Sequence, residues 1–177
     1  VSEPEHTAVV TLGESSFVLI SGKGRVLEYN YAGEGIRYDG LSDLTIENGY
    51  IAADEADNLA RLNAIAAAFD DGALTQITAV GTASATVNYA VWANRVKILL
   101  GSSEDLAQKI KFIKYFIDNE LSENEIGVAD VSAGKQLYFD PGDWGVPVVS
   151  EPAQSEPDEP SSTESGEINT SASSPAE

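Results

Sequence analysis

The chain has 177 residues, with 29 Asp and Glu against 10 Lys and Arg for a formal net charge of −19, no Cys, no Met and one His. Such acidity excludes ready binding of nucleic acid, which needs clustered basic residues, and it repels anionic membrane surfaces over the roughly 8 Å that physiological salt leaves unscreened. Without Cys there is no disulfide, thiol nucleophile or thiolate metal site, and with His6 alone neither a histidine triad nor a His-rich zinc site is expected.

A translated chain normally begins with Met, so Val1 is read as an internal residue of a longer protein. No apolar run reaches the roughly 20 residues that span a bilayer. Residues 8–12, 17–20 and 26–29 read as strands, the last two joined by Ser21-Gly22-Lys23-Gly24-Arg25, whose glycines give a tight turn its φ freedom. The rest of a P-loop is missing around Gly22-Lys23-Gly24, so this is a turn and not a phosphate site. Residues 29–48 are rich in Gly, Tyr and Asp, with short extended pieces at 36–38 and 44–46. A helix starts at Asp54, with Leu59, Leu62, Ala66 and Phe69 at helical spacing and Gly72 as its C-terminal cap.

Strand patterning returns at 77–80 and 85–92, turns at Ala93-Asn94-Arg95 and runs through 96–100 to Gly101. Ser102-Ser103-Glu104-Asp105 is expected to supply a hydroxyl cap and first-turn acids for a second helix. Leu106, Ile110, Ile113 and Ile117 recur at i, i+4, i+7 and i+11 and so share one helix face. Lys109, Lys111, Lys114 and Asp118 are placed outside that stripe, with Lys109 expected to snorkel at the surface, or else to orient a loop or touch a partner. Tyr89, Trp92, Tyr115 and Phe116 are expected in the core, the alternative being an exposed binding patch. A strand at 128–131, the turn Ser132-Ala133-Gly134-Lys135 and a last strand at 136–140 follow, with Leu137 and Phe139 on one face and Gln136 and Tyr138 on the other.

Beyond 146–151 Ser, Pro, Glu and Thr dominate, and residues 151–177 hold seven acids and no base. Such a segment buries too little apolar surface to offset its ordering entropy, so 146–177 is expected to be a disordered tail. The body before it suits one core. The fold class expected is α+β, a curved and mainly antiparallel sheet with two amphipathic helices on one face. Asp39-Gly40, Asp70-Asp71-Gly72 and Asp140-Pro141-Gly142-Asp143 read as turns, with neither an aspartic-protease triplet nor EF-hand spacing. No catalytic, cofactor-binding or metal-binding residue is assigned, and the chain is expected not to be an enzyme.

The order of these elements, a Val-rich strand into Gly101, Lys109 early on the helix and Asp130-Val131-Ser132 in a short strand, resembles the extracytoplasmic β domain of the FtsQ/DivIB family of bacterial cell-division proteins. The resemblance reads residues 1–30 as the end of a POTRA-like domain and its connecting hairpin, 31–145 as the β domain and 146–177 as the tail. It implies a non-enzymatic scaffold at the division septum, outside the membrane of a Gram-positive bacterium and anchored by a helix upstream of Val1. It also implies partners of the DivIC/FtsB and FtsL type, the former adding a strand to the edge formed by Lys135, Gln136, Leu137, Tyr138, Phe139 and Asp140; the alternative is that this is only the last strand of the sheet, its edge covered by residues 141–149. A secreted, wall-associated module binding carbohydrate or another wall component through its aromatic and acidic surface, with Trp92 and Trp144 exposed, is the alternative.

Overall fold

A computed structural model describes residues 7–12, 16–41 and 44–145. The expectations for His6 and for the tail at 146–177 lie outside them. In chain order these residues form β1 (Thr7–Leu12), β2 (Ser16–Ser21), β3 (Val26–Tyr29), β4 (Arg37–Asp39), β5 (Ile46–Glu47), β6 (Tyr50–Ile51), α1 (Ala56–Asp71), β7 (Ile77–Ser84), β8 (Val87–Trp92), β9 (Val96–Gly101), α2 (Leu106–Asn119), β10 (Gly127–Asp130) and β11 (Tyr138–Pro141). Nine of these strands make one sheet in the order β11-β10-β9-β8-β7-β4-β1-β2-β3, and β5 and β6 form a separate hairpin. The fold is α+β with a mostly antiparallel sheet.

Parallel pairing occurs where a long connection leaves and returns. The pairs are β1 with β4, β4 with β7 around α1, and β9 with β10 around α2. Both helical crossovers step the same way along the sheet. Crossovers of this kind are nearly always right-handed, so two that step together put their helices on the same face. The register carries one row of helix-facing residues across all nine strands: Tyr29, Val18, Val10, Tyr38, Val80, Ala90, Ile98, Ala129 and Phe139. Leu59, Leu62, Ile65 and Phe69 of α1 and Ile110 and Ile113 of α2 pack on it as a single core. Strands β1 to β3 share that sheet and that core with the rest.

Local chemistry explains the turns. Gly24 takes φ +76 in the β2–β3 turn, and its N–H donates to the Ser21 carbonyl at 2.8 Å. Ala93 and Asn94 both have positive φ, and the Arg95 N–H closes the turn on the Trp92 carbonyl at 2.9 Å. That is the mirror-image turn matching the twist of the strands it joins. Gly72 caps α1, yet its φ is −76 and the left-handed residue is Ala73. Glycine is needed at 72 because a Cβ there would overlap the Ile110 side chain of α2.

Two local expectations are corrected. No serine hydroxyl caps α2: its N-cap is Asp105 in a left-handed conformation without a side-chain cap bond, and no acid lies in its first turn. The turns expected at Asp39-Gly40 and Asp140-Pro141 fall on strand residues, Asp39 in β4 and Asp140 and Pro141 in β11, whereas that at Asp70-Asp71-Gly72 is the C-terminal turn of α1, closed by the Ala73 N–H on the Asp70 carbonyl at 3.0 Å.

Candidate functional site

Strand β11 is the end of the sheet, with β10 as its one neighbour among the described residues. The Gly142 N–H donates to the Ile126 carbonyl at 2.9 Å, which sets the phase of the antiparallel ladder. Hydrogen-bonded pairs alternate with non-bonded ones. Val128–Asp140 and Asp130–Tyr138 are therefore the bonded pairs, and Gly127–Pro141 and Ala129–Phe139 the non-bonded ones. Tyr138 and Asp140 aim their backbone groups at β10. Phe139 turns its N–H and C=O outward, and Pro141 its carbonyl.

Of the six residues proposed from sequence, Tyr138, Phe139 and Asp140 are in β11, whereas Lys135, Gln136 and Leu137 precede it. The strand begins two residues later than expected because β10 stops at Asp130. There the Asp130 carboxylate accepts the Ser132 N–H at 2.8 Å and bends the chain, leaving Gln136 no ladder partner. Leu137 and Phe139 both pack against the core, while Gln136 and Tyr138 are exposed and hydrogen-bonded to each other.

Beside this edge, α2 and the segment before β11 enclose a groove of about 560 Å³ lined by Lys111, Phe112, Tyr115, Phe116, Glu120, Lys135, Gln136 and Leu137. Its floor is continuous with the strand, since the Phe116 and Phe139 rings lie 4.9 Å apart. Tyr115 is 61% exposed, contrary to its expected place in the core; Phe116 is buried, and Tyr89 and Trp92 are half-buried.

Lys109 sets the position of α2 against the sheet. It is 2% exposed, and its ammonium donates to the carbonyls of Leu100 and Ser102, both at 2.8 Å. The expected surface lysine is thus a buried brace that ties the helix to the end of β9. The spacing contained this signal: 109 is three residues after Leu106 and four before Ile113, which puts it on the buried side. Side chains 109, 110, 113 and 116 are the buried ones of α2, so the stripe is rotated from the expected one and Ile117 is only partly covered.

The helix-free face carries a polar network that sequence reasoning missed. Arg37 and Asp39 form an ion pair at 2.8 Å, and the Tyr89 hydroxyl donates to the other Asp39 oxygen at 3.0 Å. Residues 37 and 39 share a face of β4, and 39, 81 and 89 are opposed across three strands. The Tyr89 ring lies over Gly81, where a Cβ would overlap it. Burial, helped by the Asp39 charge, raises the Tyr89 phenol to about 12. Lys97 places its ammonium 4.8 Å from the Tyr89 ring and 5.7 Å from that of Trp144.

Both indoles are engaged. Trp92 donates to the Thr75 carbonyl at 3.0 Å under the Arg95 guanidinium, and Trp144 donates to the Arg95 carbonyl at 2.9 Å. Among the described residues no group of three His, Cys, Asp or Glu gathers as a metal site would, and no helix is long and apolar enough to cross a membrane. No protein-family model matches the chain, and no curated protein matches it.

Proposed function

We propose that this chain is a non-enzymatic, partner-binding module of the FtsQ/DivIB kind, a division-site scaffold that takes a strand from a DivIC/FtsB-like and FtsL-like complex along the outer side of β11. The observation that carries this reading is the outward N–H and C=O of Phe139 on a strand with a single neighbour among the described residues. Unpaired backbone groups at a sheet edge are what strand addition uses, and alternate side chains supply selectivity. Pro141, which has no N–H, shortens the donor row and blunts unselective edge pairing. In this reading the module lies outside the membrane at the septum of a Gram-positive bacterium, with its anchor upstream of Val1. A wall-carbohydrate module draws less support, because the two indoles are half-buried and hydrogen-bonded to backbone.

Calorimetric titration with the extracytoplasmic DivIC/FtsL complex of the same bacterium tests the proposal. Phe139→Pro removes the outward donor and leaves the bonds to β10, whereas Phe139→Leu keeps the donor and an apolar side chain. Affinity is expected to fall about tenfold or more from the Leu to the Pro variant. Equal affinity of the two folded variants counts against strand addition. Tyr138→Pro is the poorer test, since its donor belongs to the internal ladder.

A further inference from the structure

We propose that the groove between α2 and residues 135–137 receives an acidic peptide segment bearing a bulky apolar side chain. The choice of a protein ligand rests on the reading of β11 as a partner-binding edge. The groove's volume of about 560 Å³ lies within the range of sites that accept large apolar groups. Phe112, Phe116 and Leu137 give it an apolar floor, and Tyr115 stands beside it with 61% of its surface in solvent. Aromatic side chains in such a setting anchor protein interfaces.

Charge selects the occupant. Lys111 approaches from the helix and Lys135 from the turn after β10, two of only ten basic residues in a chain of net charge −19. Lys114 is neutralised by Asp118 at 3.0 Å, but among the described residues neither Lys111 nor Lys135 has a carboxylate at ion-pair distance. Glu120 also lines the opening, so a dense anion such as phosphate would meet repulsion there. A peptide can place its carboxylates toward the lysines and its apolar group on the floor. Phe139 of β11 packs on Phe116 of the floor, so the groove adjoins the strand whose outer side is open among the described residues.

The test is selection of twelve-residue peptides from a random display library on the whole chain, followed by anisotropy titrations and amide chemical shifts. Selected peptides should pair Trp, Phe or Leu with Asp or Glu, perturb Phe112, Phe116 and Leu137, and bind K111E/K135E and Tyr115→Ala about tenfold more weakly or worse. All three positions are exposed, so the variants should stay folded. Absence of enrichment, or peptides indifferent to both variants, overturns the proposal. Peptides lost only on Phe139→Pro overturn the groove and spare the edge. Groove-dependent peptides, in a chain that ignores the division complex, support the groove and sink the edge reading.

Discussion

The two ends of the sheet are finished differently. At one end β3 begins under cover: the Val26 N–H donates to the Gly49 carbonyl at 2.8 Å, Arg25 bridges Tyr50, and the Ile51 N–H returns to Gly24 at 2.8 Å, so the β5–β6 hairpin lies across the start of the edge. At the other end the outer side of β11 meets no strand among the described residues, and an aromatic groove opens beside it. Both edges need protection from unselective pairing. One is covered at its start from within the chain, whereas the other carries Pro141 and has its outer side open among the described residues.

Ile113→Asp breaks this comparison most severely. Ile113 is fully buried in the core that both ends share, and an unpaired carboxylate there costs on the order of 4 kcal/mol or more. The thermal transition should vanish at both ends together; a melting curve like the parent's would remove α2 from the core. Lys109→Met is expected to cost about 2 to 4 kcal/mol, since the buried Leu100 carbonyl and the half-buried Ser102 carbonyl lose their charged donor. Hydrogen exchange should quicken in β9, β10 and β11 before β1 to β3, and uniform loss of protection would show that the brace serves the whole sheet. Gly72→Ala should cost about 1 to 3 kcal/mol by forcing Ile110 aside, read as a lower urea midpoint.

The smallest effect concerns the middle of the sheet. Burial, aided by the Asp70 charge, raises the Tyr38 phenol to about 12, as burial and Asp39 raise that of Tyr89. A folded-state value above the ordinary 10 means that the native state holds these protons more tightly than the unfolded chain. The contribution is complete below pH 10 and is lost as pH rises through about 12. Urea midpoints should be level at neutral pH and fall between pH 10 and 12, and Tyr38→Phe with Tyr89→Phe should flatten that fall. An unchanged slope would refute the assignment.

Much of this architecture is legible in sequence because local rules make it. The stripe from Leu59 to Phe69 gives α1, the Gly24 turn gives the β2–β3 hairpin, and Ala93-Asn94-Arg95 gives β8 and β9. The insertion of β4 between β1 and β7 is not legible, because three residues of parallel pairing leave no periodicity to read. Nor is the Arg37, Asp39 and Tyr89 network, whose members come from strands 50 residues apart. At the candidate site the edge position follows from chain order, but the phase of the ladder depends on where Asp130 ends β10. The groove needs both the rotation of α2 and the path of 135–137, and neither is a property of local sequence.

The burial of Lys109 has a practical consequence for handling the protein. An amine held between two carbonyls is shielded from acylating reagents, while Lys111 and Lys135 on the same side of the molecule are exposed. In a labelling time course Lys109 should react only as fast as the end of β9 opens. Its delay relative to Lys111 on the same helix is an internal clock for local breathing of the molecule, readable by mass spectrometry without any introduced probe.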